Sequence, residues 1–406
     1  MFTRRLMLLG SALFAAVPAL GQPRRTPAKP SAQTAHGHGK DATPTGSPAD
    51  TPLGPVDTVA RWAYIEDFNT GVSLLEKQAD DEMPPSSMTK LMTIYLVYDR
   101  LKQGRLKLED ELPVTEKAWR MGGSKMFVQI GSTVKVEDLI RGLIVQSGND
   151  ACIVFAEAIA GSEEQFAQMM NAKAKQLGLT HTFFKNCTGW PDPEQHMSAR
   201  DIATLARHII LDFPEYYHYD SEKSFRYNGI EQGNRNPMVQ KGTADGLKTG
   251  HTDAGGYGLV ASTLRGARRV ILVLNGMTSM RERAEESERL MDWAFANFED
   301  VTLFTAGDVV EQVPVWLGTA PSVPLVTGRD LVVTMPRNWR THASVKVSFD
   351  APIKAPVAKG DTLGRLVMGG TGVPAMDVPL LAGADVAKLS LPGRAMAVLS
   401  RYVNGG

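Results

Sequence analysis

Two prolines and a glycine bracket the stretch that most limits how this chain can fold. Pro84 and Pro85 stand ahead of an apolar repeat at Met88, Leu91, Met92, Tyr95, Tyr98 and Leu101, and Gly104 lies just past it. Proline suits a helix entrance, where its missing N–H loses no partner, and glycine suits the exit. The three- and four-residue spacing therefore predicts a helix with an apolar stripe. Ser87 and Lys90 fall one turn apart at its start and share a face. The positive end of the helix dipole disfavours a protonated Lys90 and favours an alkoxide-like Ser87, which suits a nucleophile and its base.

The rest of the chain is ordered around that helix. Residues 1–21 read as an export signal: Arg4 and Arg5, an apolar run to Leu20, and small residues at Ala19 and Gly21 where cleavage would fall. The run is short for a membrane span, and Thr3-Arg4-Arg5 leaves the secretory and twin-arginine routes both open. Residues 22–55 are rich in Pro, Ala, Thr and Gly without apolar periodicity, so they are expected to form a disordered linker. Residues 59–65 and 72–76 read as a hairpin, and helices are expected over 137–146, 151–159, 199–211 and 281–298. Ser162 and Ser198 stand as caps of two further helix starts. Strands are expected over 257–263 and 270–274, with Lys248-Thr249-Gly250 at the entrance to the first.

Beyond about residue 301 the texture changes to short alternating runs at 309–315, 331–335, 343–349 and 362–367, which predict a small β-rich domain over 301–390. In the tail, 391–406, Ala395, Met396, Leu399, Tyr402 and Val403 recur at helical spacing beside Arg394 and Arg401. Two readings stand there: an amphipathic anchor at a membrane surface, or Leu399 and Tyr402 packed on the β domain. Lys+Arg and Asp+Glu both total 44, which argues against nucleic-acid binding. There is no HExxH, no Cys/His ligand cluster and no P-loop, so neither a metal nor a nucleotide cofactor is expected.

Ser87-x-x-Lys90, Ser147-Gly148-Asn149 and Lys248-Thr249-Gly250 occur in that order, an ordered set shared by penicillin-binding proteins and class A β-lactamases. With residues 147–152 (SGNDAC), 188–193 (TGWPDP), 198–201 (SARD) and 213–217 (FPEYY), the chain resembles the D-alanyl-D-alanine carboxypeptidases, the low-molecular-mass penicillin-binding proteins, over about 56–298. The resemblance implies an α/β (α+β) fold. A β-lactamase/transpeptidase-like catalytic domain, residues 56–300, with a central antiparallel sheet and a helical lobe, would be followed by the small all-β domain.

The resemblance also distributes roles. Ser87 would attack the carbonyl of the penultimate D-alanine and Lys90, held neutral, would take its proton. An exposed lysine titrates near about 10.4, so burial and nearby cations must lower it. Ser147 would relay a proton to the departing D-alanine, and Asn149 would bond the substrate amide or Lys90. Lys248 and Thr249, with Arg283 nearby, would hold the terminal carboxylate. Gly250 would let the substrate backbone run beside the strand, and the backbone N–H groups of Ser87 and His251 would form the oxyanion hole. The implied partners are peptidoglycan stem peptides ending in D-Ala-D-Ala and β-lactam antibiotics. The implied setting is the periplasm, in cell-wall synthesis and cell shape, with the tail as a peripheral inner-membrane contact.

Two other functions compete with this one. A class A β-lactamase would carry an ExxLN element for deacylation, and none follows Ser147. A non-catalytic scaffold that only recognises cell-wall peptides would not need Ser87, Lys90, Ser147 and Lys248 together. Cys152 and Cys187 are the two cysteines, enough for one disulfide in an exported protein, while the resemblance implies two free thiols.

Overall fold

The computed structural model describes residues 48–370 and 373–403; the expected export signal and most of the expected linker lie outside them. The last linker residues do not behave as a tether. Ala49 is fully buried, its N–H bonds the Val56 carbonyl at 2.8 Å, and the Asp50 N–H bonds Glu76 at 2.7 Å. Their backbone groups find partners on the rim of the sheet, which compensates for ordering a segment with little apolar surface.

The hairpin forms as β1 (Trp62–Asp67) and β2 (Ser73–Lys77). The bracketed helix opens with a 3₁₀ turn, Ser86–Thr89, and continues as α1 (Lys90–Lys102). Its burial exceeds one stripe, because Ile94, Leu96 and Val97 are as inaccessible as Leu91 and Tyr98. The helix runs through the middle of the helical lobe rather than along its surface.

That lobe continues with a two-stranded ribbon of β3 (Glu111–Pro113) and β4 (Thr133–Lys135) around the short α2 (Glu116–Arg120). Helices α3 (Val136–Ile144), α4 (Asn149–Ala160), α5 (Glu163–Gln176) and α6 (Ala199–Asp212) follow. The Ser162 and Ser198 side chains accept the N–H groups of Gln165 and Asp201, capping α5 and α6 as the sequence suggested. A hairpin of β5 (Ser224–Tyr227) and β6 (Ile230–Gly233) and the short α7 (Pro237–Lys241) then return the chain to the sheet.

Three further strands complete that sheet: β7 (Gly246–Thr252), β8 (Gly256–Arg265) and β9 (Arg268–Met277). The order is β2-β1-β9-β8-β7, antiparallel throughout, so β7 has a neighbouring strand on one side only. Side chains alternate between two cores. Trp62, Tyr64, Val260, Ile271 and Val273 face the helical lobe. Ala63, Ile65, Leu259, Ala261, Val270, Leu272 and Leu274 face α8 (Met280–Asn297), which covers them with Leu290, Met291 and Ala294.

The β-rich part begins with β10 (Phe298–Phe304), β11 (Val309–Trp316), β12 (Ser322–Thr327) and β13 (Leu331–Pro336). It continues with β14 (Ala343–Phe349), β15 (Ile353–Lys354), β16 (Thr362–Gly370) and β17 (Val373–Ala382). A β10–β13 ribbon lies beside a sheet ordered β14-β16-β17-β12-β11-β15, around a core that includes Val323, Leu325, Val333, Leu366 and Leu380. Arg268 ties the two parts, 2.7 Å from Asp67 and 3.5 Å from Asp300. The tail forms α9 (Leu391–Val403). Leu399 and Tyr402 are 67% and 92% exposed, so they do not pack on the β domain. No helix among the described residues is long and apolar enough to cross a membrane.

Candidate active site

Ser87 sits in a turn held from three sides. The Pro84 carbonyl accepts from Asn275 of β9 at 3.1 Å, and the Ser86 hydroxyl lies 2.9 Å from that of Thr252 on β7. Gly189 and Gly250 press on the turn from the other directions. A Cβ on Gly189 would stand 1.8 Å from the Ser86 carbonyl oxygen, and one on Gly250 would stand 3.0 Å from the Ser86 Cβ and 3.3 Å from the Ser87 nitrogen. Gly250 thus admits the nucleophile turn against β7, a constraint that the sequence reading did not include. Ser86 itself has φ +51°, a strained value for a residue with a side chain. Strain of this kind persists where surrounding structure over-determines the backbone.

Lys90 begins α1 immediately behind the turn and is fully buried. Its Nζ donates to the Ser87 hydroxyl at 3.0 Å and to the Thr188 carbonyl. Burial pushes its pKa below the ordinary lysine value; the Cys152 and Cys187 thiols oppose that and Arg235 adds to it. Lys248, 4% exposed, is pushed well down, first by burial and then by Lys90 and Arg235. Two buried amines sharing one site disfavour double protonation, so an anion beside Lys248 would decide where the charge resides.

Ser147 lies in the turn between α3 and α4 with φ +58°, 1% exposed, and its hydroxyl has no hydrogen-bond partner. An orphaned buried hydroxyl on a strained backbone is available to a ligand or a passing proton. Of the two partners expected for Asn149, Lys90 is not the one it meets here. Its side-chain nitrogen donates to the Gly122 carbonyl at 2.8 Å and its backbone N–H to the Ser124 carbonyl at 2.7 Å, rather than to Lys90. It thereby fixes the Gly122-Gly123 segment, whose Cα atoms approach the Trp190 ring. Asp150, fully buried, accepts the N–H groups of Met126, Phe127 and Val128 at 2.9–3.2 Å and pins the continuation of that loop.

Lys248-Thr249-Gly250 lies inside β7, not ahead of a strand. Gly246, Lys248 and Gly250 pair with Ser262, Val260 and Gly258 and share the face toward the helical lobe. The His251 imidazole is exposed and lies against Tyr257, with centroids 4.0 Å apart. Arg283, in the first turns of α8, is 7% exposed; it donates to the Arg235 carbonyl at 3.4 Å, and its Nε has no partner.

Sequence reasoning missed Arg235. Its guanidinium donates to the Ser124 hydroxyl, is lowered by burial, and acts on both Lys90 and Lys248. Asn236 beside it caps α7 and donates to the Gly246 carbonyl at 3.1 Å, tying this segment to β7. An arginine between two asparagines carries no periodic signal. The Thr188 carbonyl was missed because a backbone acceptor leaves no trace in residue type. Cys152 and Cys187 are free and buried. Burial pushes the Cys152 thiol up to about 12 and raises the Cys187 thiol well above its ordinary value.

A nucleophile, an adjacent amine of lowered basicity, a spare hydroxyl and a cluster of cationic groups beside an edge strand can carry acyl transfer to serine from a substrate ending in a carboxylate. Residues 49–278 match the D-alanyl-D-alanine carboxypeptidase family, and residues 298–388 match the penicillin-binding protein 5 C-terminal domain. Among curated relatives, D-alanyl-D-alanine carboxypeptidase DacA of Haemophilus influenzae is 37% identical, covering 86% of this chain and 91% of the relative. DacC of Escherichia coli is 38% identical, covering 86% and 90%. Among solved structures, penicillin-binding protein 5 from Haemophilus influenzae superposes with a TM-score of 0.72 at 37% identity, covering 82% of this chain and 99% of that one. DacD from Francisella tularensis gives 0.73 at 30% identity, covering 82% and 95%.

Proposed function

This chain belongs to the D-alanyl-D-alanine carboxypeptidase family and is a serine-type enzyme of that activity; from that premise we propose how its residues divide the work. Ser87 attacks the carbonyl carbon of the penultimate D-alanine while Lys90 accepts its proton. The observation that carries this assignment is the 3.0 Å contact between a fully buried amine and the Ser87 hydroxyl. Burial lowers the basicity of that amine and so favours the neutral form that can accept a proton. The N–H groups of Ser87 and His251 receive the oxyanion, each worth roughly 2.7–4 kcal/mol in comparable sites. Ser147 passes a proton to the leaving D-alanine. Lys248, Thr249, Arg235 and Arg283 bind its carboxylate, and water then releases the acyl group from Ser87.

The substrates follow from family membership: peptidoglycan stem peptides ending in D-Ala-D-Ala, with β-lactams as acylating mimics. Export to the periplasm is supported by the amino-terminal pattern of arginines and apolar residues. A peripheral membrane contact through α9 is supported by the exposure of Leu391, Met396, Leu399 and Tyr402. The catalytic part is taken as residues 56–300 and the β part as 301–390.

Penicillin supplies the test. Intact-mass measurement and peptide mapping should find one adduct, on Ser87, that hydrolyses slowly while the enzyme releases D-alanine from a pentapeptide. An adduct on another residue would overturn the assignment, and rapid turnover of many equivalents would mean a β-lactamase.

A further inference from the structure

The 3₁₀ turn Tyr217–Ser221 packs on the start of β7 and leaves a carboxyl group there without a task. Asp220 is 2% exposed and its Oδ2 has no hydrogen-bond partner. The neighbouring carboxylate is well served by contrast. Asp245 accepts from the Tyr217 hydroxyl at 2.8 Å and from Arg269 at 2.8 Å. A buried, unsatisfied carboxyl is destabilising and calls for an explanation.

Its position supplies one. A Cβ on Gly246 would stand 3.3 Å from the Asp220 Cβ and 2.6 Å from the Tyr217 hydroxyl, so Asp220 faces β7 one pleat from Lys248, on the face Lys248 shares. We propose that Asp220 is a positioning residue for substrate recognition: from behind β7 its carboxyl sustains the ammonium form of Lys248 while Lys248 holds the terminal carboxylate of the substrate. This rests on the assignment of Lys248 to that carboxylate.

The surrounding charges agree. Asp220 faces Asp245 from the segment ahead of β7, Tyr217 from its own turn, Tyr98 from α1 and Lys248 from β7. Lys248 faces Lys90 from α1, Arg235 from the segment before α7, Arg283 from α8 and Cys152 from α4. Burial, with Asp245 adding to it and Lys248 opposing it, raises the Asp220 carboxyl well above the usual range, and burial lowers the Lys248 amine. Both shifts favour the uncharged forms while the site is empty. A substrate carboxylate on the far side of Lys248 favours the ammonium. One proton leaves the Asp220 carboxyl and one is gained by the Lys248 amine, so the step balances without a co-reactant and reverses when product leaves.

Asp220→Asn removes the negative charge that supports Lys248, so Lys248 should lose its proton at lower pH. The alkaline limb of kcat/KM for a D-Ala-D-Ala peptide should move down by about one pH unit, and KM at pH 8 should rise roughly tenfold with kcat little changed. A purely structural role would lower the melting temperature without moving the pH limb. An unchanged limb and KM would overturn the proposal. Should the variant fail to fold, difference infrared spectroscopy of wild type labelled with carbon-13 aspartate gives a second reading. Binding of N-acetyl-D-alanine should convert a protonated-acid band into a carboxylate band, and no conversion would likewise overturn the proposal. Lys248→Met separates the two levels. If it leaves KM unchanged, the carboxylate assignment itself has failed; if it raises KM while Asp220→Asn does not, only the role of Asp220 has.

Discussion

The Lys90 amine lies 3.0 Å from the Ser87 hydroxyl with none of its surface open to solvent. A base buried in this way owes its basicity to its surroundings, and both substitution and pH should reveal that.

Lys90→Arg keeps a cation in place but cannot be deprotonated, so acylation by penicillin should fall by at least about a hundredfold. In wild type the rate should decline as pH falls through the lowered Lys90 pKa, since protonation removes the base. Stopped-flow acylation against pH checks both, and near-normal rates in the variant would refute the role.

Lys248 should make itself felt in stability. Its folded-state pKa lies below its unfolded value, so the folded chain binds fewer protons than the unfolded chain. Its contribution is then full above about pH 10.4 and is lost as pH falls toward the lowered folded value. Lys248→Met should stabilise the protein at pH 7 by about 1 kcal/mol and flatten the dependence of melting temperature on pH across that window, while weakening substrate binding. Urea titrations at pH 7 and pH 10 provide the comparison.

Two glycines with nearly the same φ should respond very differently to alanine. Gly189 has φ +83° and no room, because a Cβ would meet the Ser86 carbonyl oxygen. Gly189→Ala should destabilise by about 3 kcal/mol and displace the nucleophile turn. Gly161, at φ +82°, ends α4 with only ordinary contact to Gln165, so Gly161→Ala should lose about 1 kcal/mol and keep acylation. Equal melting temperatures for the two variants would contradict this account.

Burial raises both thiol pKa values and leaves the side chains inaccessible. Iodoacetamide at pH 8 should leave native protein unmodified and add two groups after unfolding in denaturant. Modification of the native state, read by mass, would show that one thiol is exposed.

Deletion of the chain beyond Leu389 should reduce co-sedimentation with anionic vesicles if α9 is an interfacial helix, because Leu391, Met396, Val398, Leu399 and Tyr402 are all exposed on it. Equal partitioning of both forms would remove the membrane contact.

The sequence was legible where chemistry and periodicity coincide. Pro85, the α1 repeat and Gly104 located the helix that carries Lys90, and alternation in 257–263 and 270–274 located the central strands. It was less legible where tertiary packing chose between local options. Lys248-Thr249-Gly250 reads as the entrance to β8, yet 246–252 is itself a strand because the helical lobe and the nucleophile turn close over its face. Residues 48–55 have a linker's composition but gain backbone bonds at the sheet rim. Arg235 and the Thr188 carbonyl enter the site through contacts between segments far apart in the chain, which no local pattern records.

A strand with one free flank is usually a hazard, since its unpaired amides and carbonyls invite a neighbouring molecule. On the proposed binding of the substrate beside Gly250, the position of β7 at the rim of its sheet would turn that hazard into selectivity. An extended peptide laid along β7 is read through main-chain groups common to every amino acid, so tolerance of varied residues upstream and strictness at the terminal carboxylate arise from the same strand. N-methylation of the peptide's own amides should therefore abolish competition even where each of its side chains is retained.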